Sequence, residues 1–237
     1  VIVNADCFEY LKTIESGSVD LILTDPPYDI SRNSNFSKVS ESASDFMKTK
    51  YSKHSIDFGE WDTTLDLDTL FSEYYRVLKK GGTLIIFYDV WKSNQLKELA
   101  QKWKFKQPRV GMWLKNNPTP INSKSNYLSN AHEFFFTFVK DKKPTFNSEY
   151  DNGIYKYPLC HGKERLEHPT QKPLSLIKEM IQKHSNEGDL VLDTFSGSGT
   201  TAEACQTLRR RFICIERDEK YYKLSIERIK QLELKEI

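Results

Sequence analysis

The sequence predicts an α/β fold built on a doubly wound, mainly parallel sheet, and three observations carry that reading. Continuous apolar runs at 19–24, 83–89 and 189–195 have the character of strands buried on both faces, as parallel strands are. Stripes of apolar residues at helical spacing lie between them. The last third alternates strand, turn, helix, strand and helix, an order that implies crossovers between parallel strands. The 237 residues suit one large domain, 1–237, and 38% hydrophobic and 13% aromatic residues suffice for a packed core.

Taken in order, Val1 to Val3 predicts a short strand ending at Asn4-Ala5-Asp6. Phe8, Leu11 and Ile14 then recur at helical spacing. Residues 31–56 are rich in Ser, Lys and Asn with little periodicity, which predicts a long mobile loop. Leu67, Leu70, Phe71, Tyr74, Tyr75 and Leu78 form a helical stripe, and Lys79-Lys80-Gly81-Gly82 reads as its C-terminal stop. A helix over 92–103 precedes strands at 109–115 and 132–140. The stretch 141–167 reads as irregular. A helix from about Leu174 to His184 has Ile177, Met180, Ile181 and His184 on one face, and a strand at 211–216 leads to a final helix from about Asp218 carrying Tyr222, Ile226 and Ile229.

Composition excludes several classes of function. The net charge of +2 is no polycation, so nucleic-acid binding would rest on local basic patches. None of Cys7, Cys160, Cys205 and Cys214 has C-x-x-C spacing, and they read as reduced thiols of a cytoplasmic protein. Cys160, His161 and His168 lack a fourth ligand at sensible spacing, so no metal site is expected. No apolar run reaches membrane-spanning length. The chain starts at Val1, which leaves a trimmed leader open.

Two stretches carry chemistry. In VLDTFSGSGTTAEAC a strand ends at Asp193, a turn holds Gly197 and Gly199, and a helix begins near Thr200. Glycines allow close backbone approach, and a helix N-terminus offers N–H donors to an anion. The full G-x-G-x-x-G spacing and the Lys of a P-loop are both missing. Glu216 ends the next strand, where an acidic residue commonly accepts hydrogen bonds from ribose hydroxyls, so the pair reads as a site for a nucleoside-containing ligand. In ILTDPPYDI a buried strand stops at Thr24 and sets Asp25 beside the rigid turn Pro26-Pro27, followed by Tyr28.

DPPY at 25–28, HPTQKP at 168–173 and D-x-F-x-G-S-G-T-T at 193–201, in that order, resemble the β class of S-adenosylmethionine-dependent DNA amino methyltransferases. FGEW at 58–61 and WLKNNPTP at 113–120 also resemble small members of that group, so the likeness spans nearly the whole chain. It implies a seven-stranded, Rossmann-like sheet with helices on both faces and one antiparallel strand. It also implies S-adenosylmethionine as cofactor, no required metal, and DNA, most often double-stranded, as partner. Chemistry agrees with it. The exocyclic amine of adenine is a poor nucleophile, because its lone pair is delocalised into the ring. The Asp25 carboxylate and the Pro26 carbonyl could each accept one of its N–H bonds, stiffened by Pro27, and Tyr28 could stack on an extruded base.

By the same resemblance Asp193, Phe195, Gly197, Ser198 and Gly199 line the cofactor pocket, Thr200 and Thr201 lie near its amino-acid end, and Glu216 holds the ribose. Asp6 faces the cofactor's adenine with Cys7 beside it, Asp25 borders the pocket, and Thr170 and Lys172 reach the methionine carboxylate. His168 is expected to be structural. Thr194 and Asp29 depart from the family, which often has Pro and Asn there. The loop at 31–56 is expected to face DNA, with Lys102, Lys104, Lys106, Arg109 and Lys115 and then Lys140, Lys142 and Lys143 as further basic stretches. The variable region, 116–167, is short for target recognition. That predicts a short or relaxed site, with a homodimer partner as one means of extending it. Asp in the first position of DPPY favours N6-adenine. An N4-cytosine or RNA amino methyltransferase, and a non-catalytic DNA-binding protein regulated by the cofactor, are the alternatives.

Overall fold

A computed structural model describes residues 1–27, 65–118, 130–166, 168 and 170–234. The chain divides into two compact units, 1–26 with 67–237, and 27–66. In the first, eight strands form one sheet: β1 (Ile2–Asn4), β2 (Val19–Thr24), β3 (Leu78–Phe87), β4 (Lys106–Lys115), β5 (His132–Val139), β6 (Ile154–Tyr157), β7 (Leu190–Asp193) and β8 (Arg211–Glu216). Their order across the sheet is β1-β8-β7-β2-β3-β5-β4-β6. Among the described residues only β5 runs against its neighbours, β3 and β4, and every other pairing is parallel. The helices are α1 (Cys7–Leu11), α2 (Leu67–Val77), α3 (Ser93–Lys102), α4 (Leu174–His184), α5 (Thr200–Thr207) and α6 (Glu219–Glu233). They pack chiefly in two sets, α1 on α2 on α3 and α4 on α5 on α6, which right-handed crossovers running in opposite directions from β2 and β7 put on opposite faces of the sheet.

The doubly wound plan is present with one more strand than expected. The eighth, β6, lies inside 141–167, which the sequence presents as irregular. Its four residues alternate too briefly to signal a strand, and pairing with β4 is what makes it one. The α2 stripe buries Leu67, Leu70, Phe71, Tyr74 and Val77, whereas Tyr75 turns outward to bond Asp141. Lys79 to Gly82 do not cap that helix. β3 already starts at Leu78, because Gly81 donates to the Lys140 carbonyl at 2.6 Å and Lys140 to that of Gly82. The final helix also departs from its pattern. Its most buried residues are the polar Ser225 and Arg228, since that face meets the glycine turn. All four cysteines are buried and unpaired. Among the described residues no helix is long and apolar enough to cross a membrane.

Strand direction decides which segments share an edge. β2, β3, β4 and β7 end, and β5 begins, on one edge of the sheet. From β7 the chain crosses toward β8 and β1, and from β2 toward β3. The gap between β7 and β2 is therefore a topological switch point, where open α/β sheets leave a crevice outside the carboxyl ends of their strands. Asp25 follows one of these two strands, and the glycine turn follows the other.

Candidate active site

Thr24 and Thr194 tie the two strand ends together. Their hydroxyls lie 3.0 Å apart, and Tyr74 Oη reaches Thr194 Oγ1 at 2.6 Å from α2, all of it buried. Thr194, one of the two departures from the family pattern, thus joins a buried hydroxyl chain that a proline could not make. Asp25 is partly exposed and Pro26 is buried, whereas Pro27 is exposed and belongs to the second unit. Tyr28, Asp29 and the loop at 31–56 lie outside the described residues.

The glycine turn is organised from within. Asp193 accepts from Phe195 N at 3.1 Å and from Thr201 Oγ1 at 2.6 Å, and burial lifts its carboxyl to about 7 against those bonds. Glu216 accepts from Gly197 N at 2.7 Å through one oxygen and from Asp218 N at 2.8 Å through the other. Burial nonetheless leaves the carboxyl of Glu216 raised. Both glycines have left-handed backbones, with φ +50° at Gly197 and +79° at Gly199. Both are also closely backed. A Cβ on Gly197 would sit 2.8 Å from His168 Nε2, and one on Gly199 would sit 2.6 Å from Ser225 Cβ. His168 stands in T-shaped contact with Tyr221, and burial, then Lys172, depress it to about 4.

Arg228 and Glu203 anchor this turn, and no motif marks either of them. The Arg228 guanidinium is buried, pairs with Glu203, donates to Thr200 Oγ1 at 3.0 Å and lies 3.4 Å from the Ser198 carbonyl. Thr200 and Thr201 therefore spend their hydroxyls inside the protein. Asp6 caps α1, accepting from Phe8 N at 2.9 Å, with Arg217 3.9 Å from its carboxylate. Cys7 is buried, and burial pushes its thiol up to about 12. Thr170 is exposed.

Lys172 lies between two carboxylates. It is buried, pairs with Asp25 Oδ2, and lies 3.1 Å from Glu133 Oε2. Burial alone would lower its amine, but Asp25 and then Glu133 reverse this and hold it above the ordinary lysine range. Glu133 in turn pairs through Oε1 with Lys115 at 2.8 Å. Burial would raise the Glu133 carboxyl, and Lys172 and Lys115 bring it below its usual value. Lys115 is thus a buried partner and not part of a basic surface. The other basic stretches lie elsewhere on the sheet. Lys102 to Arg109 lead into β4 and Lys140 to Lys143 follow β5, so both sit at the edge opposite Asp25. Lys102 pairs with Asp68, and Lys140 donates to the Leu78 carbonyl at 2.8 Å.

The profile of the DNA methylase family (N6_N4_Mtase) matches residues 19–227. The chain belongs to this family. The methylase is 31% identical to the Type II methyltransferase M.HinfI of Haemophilus influenzae, in an alignment spanning 98% of this chain and 68% of that protein. It is 29% identical to the Type II methyltransferase M.HpaI of Haemophilus parainfluenzae, over 96% and 73% respectively. Among solved structures it resembles the M1.HpyAVI–SAM complex with TM-score 0.73 and 29% identity, covering 96% of this chain and 98% of that one. The cytosine-N4-specific PvuII DNA methyltransferase shares the fold, with TM-score 0.71 at 16% identity, covering 96% and 85%.

The residues of the methylase suit a bound S-adenosylmethionine in three respects. Glu216 ends β8, next to β7, where a carboxylate can accept from ribose hydroxyls. The turn between β7 and α5 bends through two left-handed glycines, whose backbone a ligand can approach closely. The buried His168 Nδ1 and Ser196 Oγ find no partner among the described residues, which marks polar capacity beside the turn.

Proposed function

We propose that this methylase transfers a methyl group to the N6 amine of an adenine extruded from double-stranded DNA. The observation that carries the reading is the position of Asp25-Pro26, at the end of β2 and across the switch point from the glycine turn of β7. Glu216, Asp6 and the turn from Asp193 to Gly199 would hold S-adenosylmethionine. When bound, that cofactor supplies an electrophilic methyl group on a sulfonium.

The protein's own task is to make the amine nucleophilic. The Asp25 carboxylate accepts one N–H and the Pro26 carbonyl the other, which draws the nitrogen toward a pyramidal geometry with its lone pair free. Pro27 stiffens the turn, so both acceptors stand ready before the base arrives. Tyr28 supplies a face on which the base stacks. Holding both reactants in one crevice provides the proximity term.

DNA approaches along the edge that carries Asp25. Trp91, which follows β3 on that edge, is 82% exposed and in this reading stacks against DNA. Recognition of a short sequence is assigned to the variable region, 116–167, with a homodimer extending it.

Nucleoside digestion of DNA treated with the methylase and labelled cofactor tests the reading, and the expected product is N6-methyladenosine in its deoxy form. N4-methylcytosine instead would overturn the choice of base. Methyl transfer unimpaired in Asp25→Ala would overturn the mechanism.

A further inference from the structure

We propose that Glu133 and Lys115 are positioning residues for Asp25, acting through Lys172, and that Lys172 serves this line of charges and not the carboxylate of the cofactor. The inference rests on the methyl-transfer reading above and deepens it.

Four side chains from four segments meet along one edge of the sheet. Asp25 follows β2, Glu133 is the second residue of β5, Lys115 ends β4, and Lys172 precedes α4. Because β5 alone runs antiparallel, its beginning reaches the edge where its neighbours end, which brings Glu133 beside the catalytic turn. The charges alternate: Asp25, Lys172, Glu133, Lys115. Glu133 uses a different oxygen for each lysine, at 3.1 Å to Lys172 and 2.8 Å to Lys115. Both lysines are 8–9% exposed in their side chains. Each also lies near an aromatic ring, Lys172 Nζ 4.9 Å from the Phe87 centroid and Lys115 Nζ 5.2 Å from that of Trp113.

Lys172 has three donors. Asp25 and Glu133 engage it from two directions, while Phe87 occupies a third side. An ammonium held in this way fixes Oδ2 of Asp25, and with it the plane of the carboxylate that must accept an amine N–H. Removing the charge of Glu133 would leave Lys172 and Lys115 facing each other with one anion fewer. Lys172 would then lose one of the two anions that hold it, and the Asp25 carboxylate paired with it would lose its fixed orientation.

The test compares wild type, Glu133→Gln, Lys115→Gln and Lys172→Gln in three measurements: single-turnover methyl transfer to DNA, its pH profile, and the dissociation constant of S-adenosylmethionine by calorimetry. Glu133→Gln is expected to slow transfer about 10- to 100-fold through misplacement of Asp25, with cofactor affinity changed less than about threefold. It should also bring an alkaline decline to lower pH. The groups facing Lys172 are Asp25, Glu133 and the neutral His168, with Lys115 beyond Glu133, so losing one carboxylate makes its proton easier to remove. Lys115→Gln should slow transfer in the same direction and to a smaller degree. A Glu133→Gln protein with the rate and pH profile of wild type would overturn the inference. So would a Lys172→Gln protein whose cofactor affinity falls in proportion to its rate. Should Lys172→Gln fail to fold, the two other variants decide. A wild-type chain that methylates no DNA amine removes the proposed function and this inference together, whereas an unaffected Glu133→Gln removes the inference alone.

Discussion

Gly199→Ala places one methyl group where two physical effects meet. The first is conformational: at φ +79° an L-residue occupies the left-handed region, at about 1–2 kcal/mol. The second is steric. The new Cβ would stand 2.6 Å from Ser225 Cβ and 3.1 Å from Ser225 Cα, inside ordinary contact, and Ser225 is fully buried within α6. Neither atom belongs to a flexible side-chain end, so helix or turn must shift, and overpacking of this kind costs about 1–3 kcal/mol. Together these give about 2–5 kcal/mol, a large share of the ~5–15 kcal/mol that stabilises a typical protein. Urea unfolding followed by circular dichroism, with the midpoint read at constant m, measures the effect. Combining Gly199→Ala with Ser225→Gly separates the parts. Ser225→Gly alone should destabilise by about 1 kcal/mol from helix propensity, plus the loss of its hydroxyl bond to the Tyr222 carbonyl. The double variant should nevertheless be about 1–3 kcal/mol more stable than the sum of the two singles predicts. Additivity within about 0.5 kcal/mol would refute the claim that Ser225 is why position 199 is glycine.

Arg228→Met should destabilise by about 3–5 kcal/mol, because it strands the Glu203 carboxylate in a half-buried site, and adding Glu203→Gln should recover much of the loss in urea titrations. Trp91→Ala should weaken DNA binding by at least about fivefold with little change in stability, as read by fluorescence anisotropy and thermal melting, if that ring stacks on DNA. Stability should depend on pH with opposed contributions. His168 and His184 are held near about 4, so below pH 6.5 the unfolded chain gains protons that the folded chain refuses, and stability falls toward pH 4 by up to about 3 kcal/mol for each. Asp193, raised to about 7, acts the other way: the folded chain keeps its proton between pH 7 and about 4, so stability rises as pH falls through that window. Asp193→Asn should therefore make the acid decline steeper in melts taken between pH 7.5 and 5, and an unchanged slope would contradict the placement of that carboxyl.

The sequence by itself determined the alternation of elements, because buried parallel strands and amphipathic helices write their periods into local composition. It also determined the location of Asp25-Pro26 and of the turn from Asp193 to Gly199, since paired prolines stiffen a turn and the closely spaced Gly197 and Gly199 permit left-handed backbone there. Tertiary structure decided what lay across strands. β6 is a strand only because β4 pairs with it, and Ser225 and Arg228 are buried only because α6 lies against the glycine turn. The direction of β5 sets Glu133 beside Lys172, and the direction of β4 carries Lys102 to Arg109 away from the site while burying Lys115 within it. A lysine's charge is visible in one dimension. Whether it faces water, a phosphate or a buried carboxylate depends on which strand ends share an edge, and long-range pairing alone fixes that.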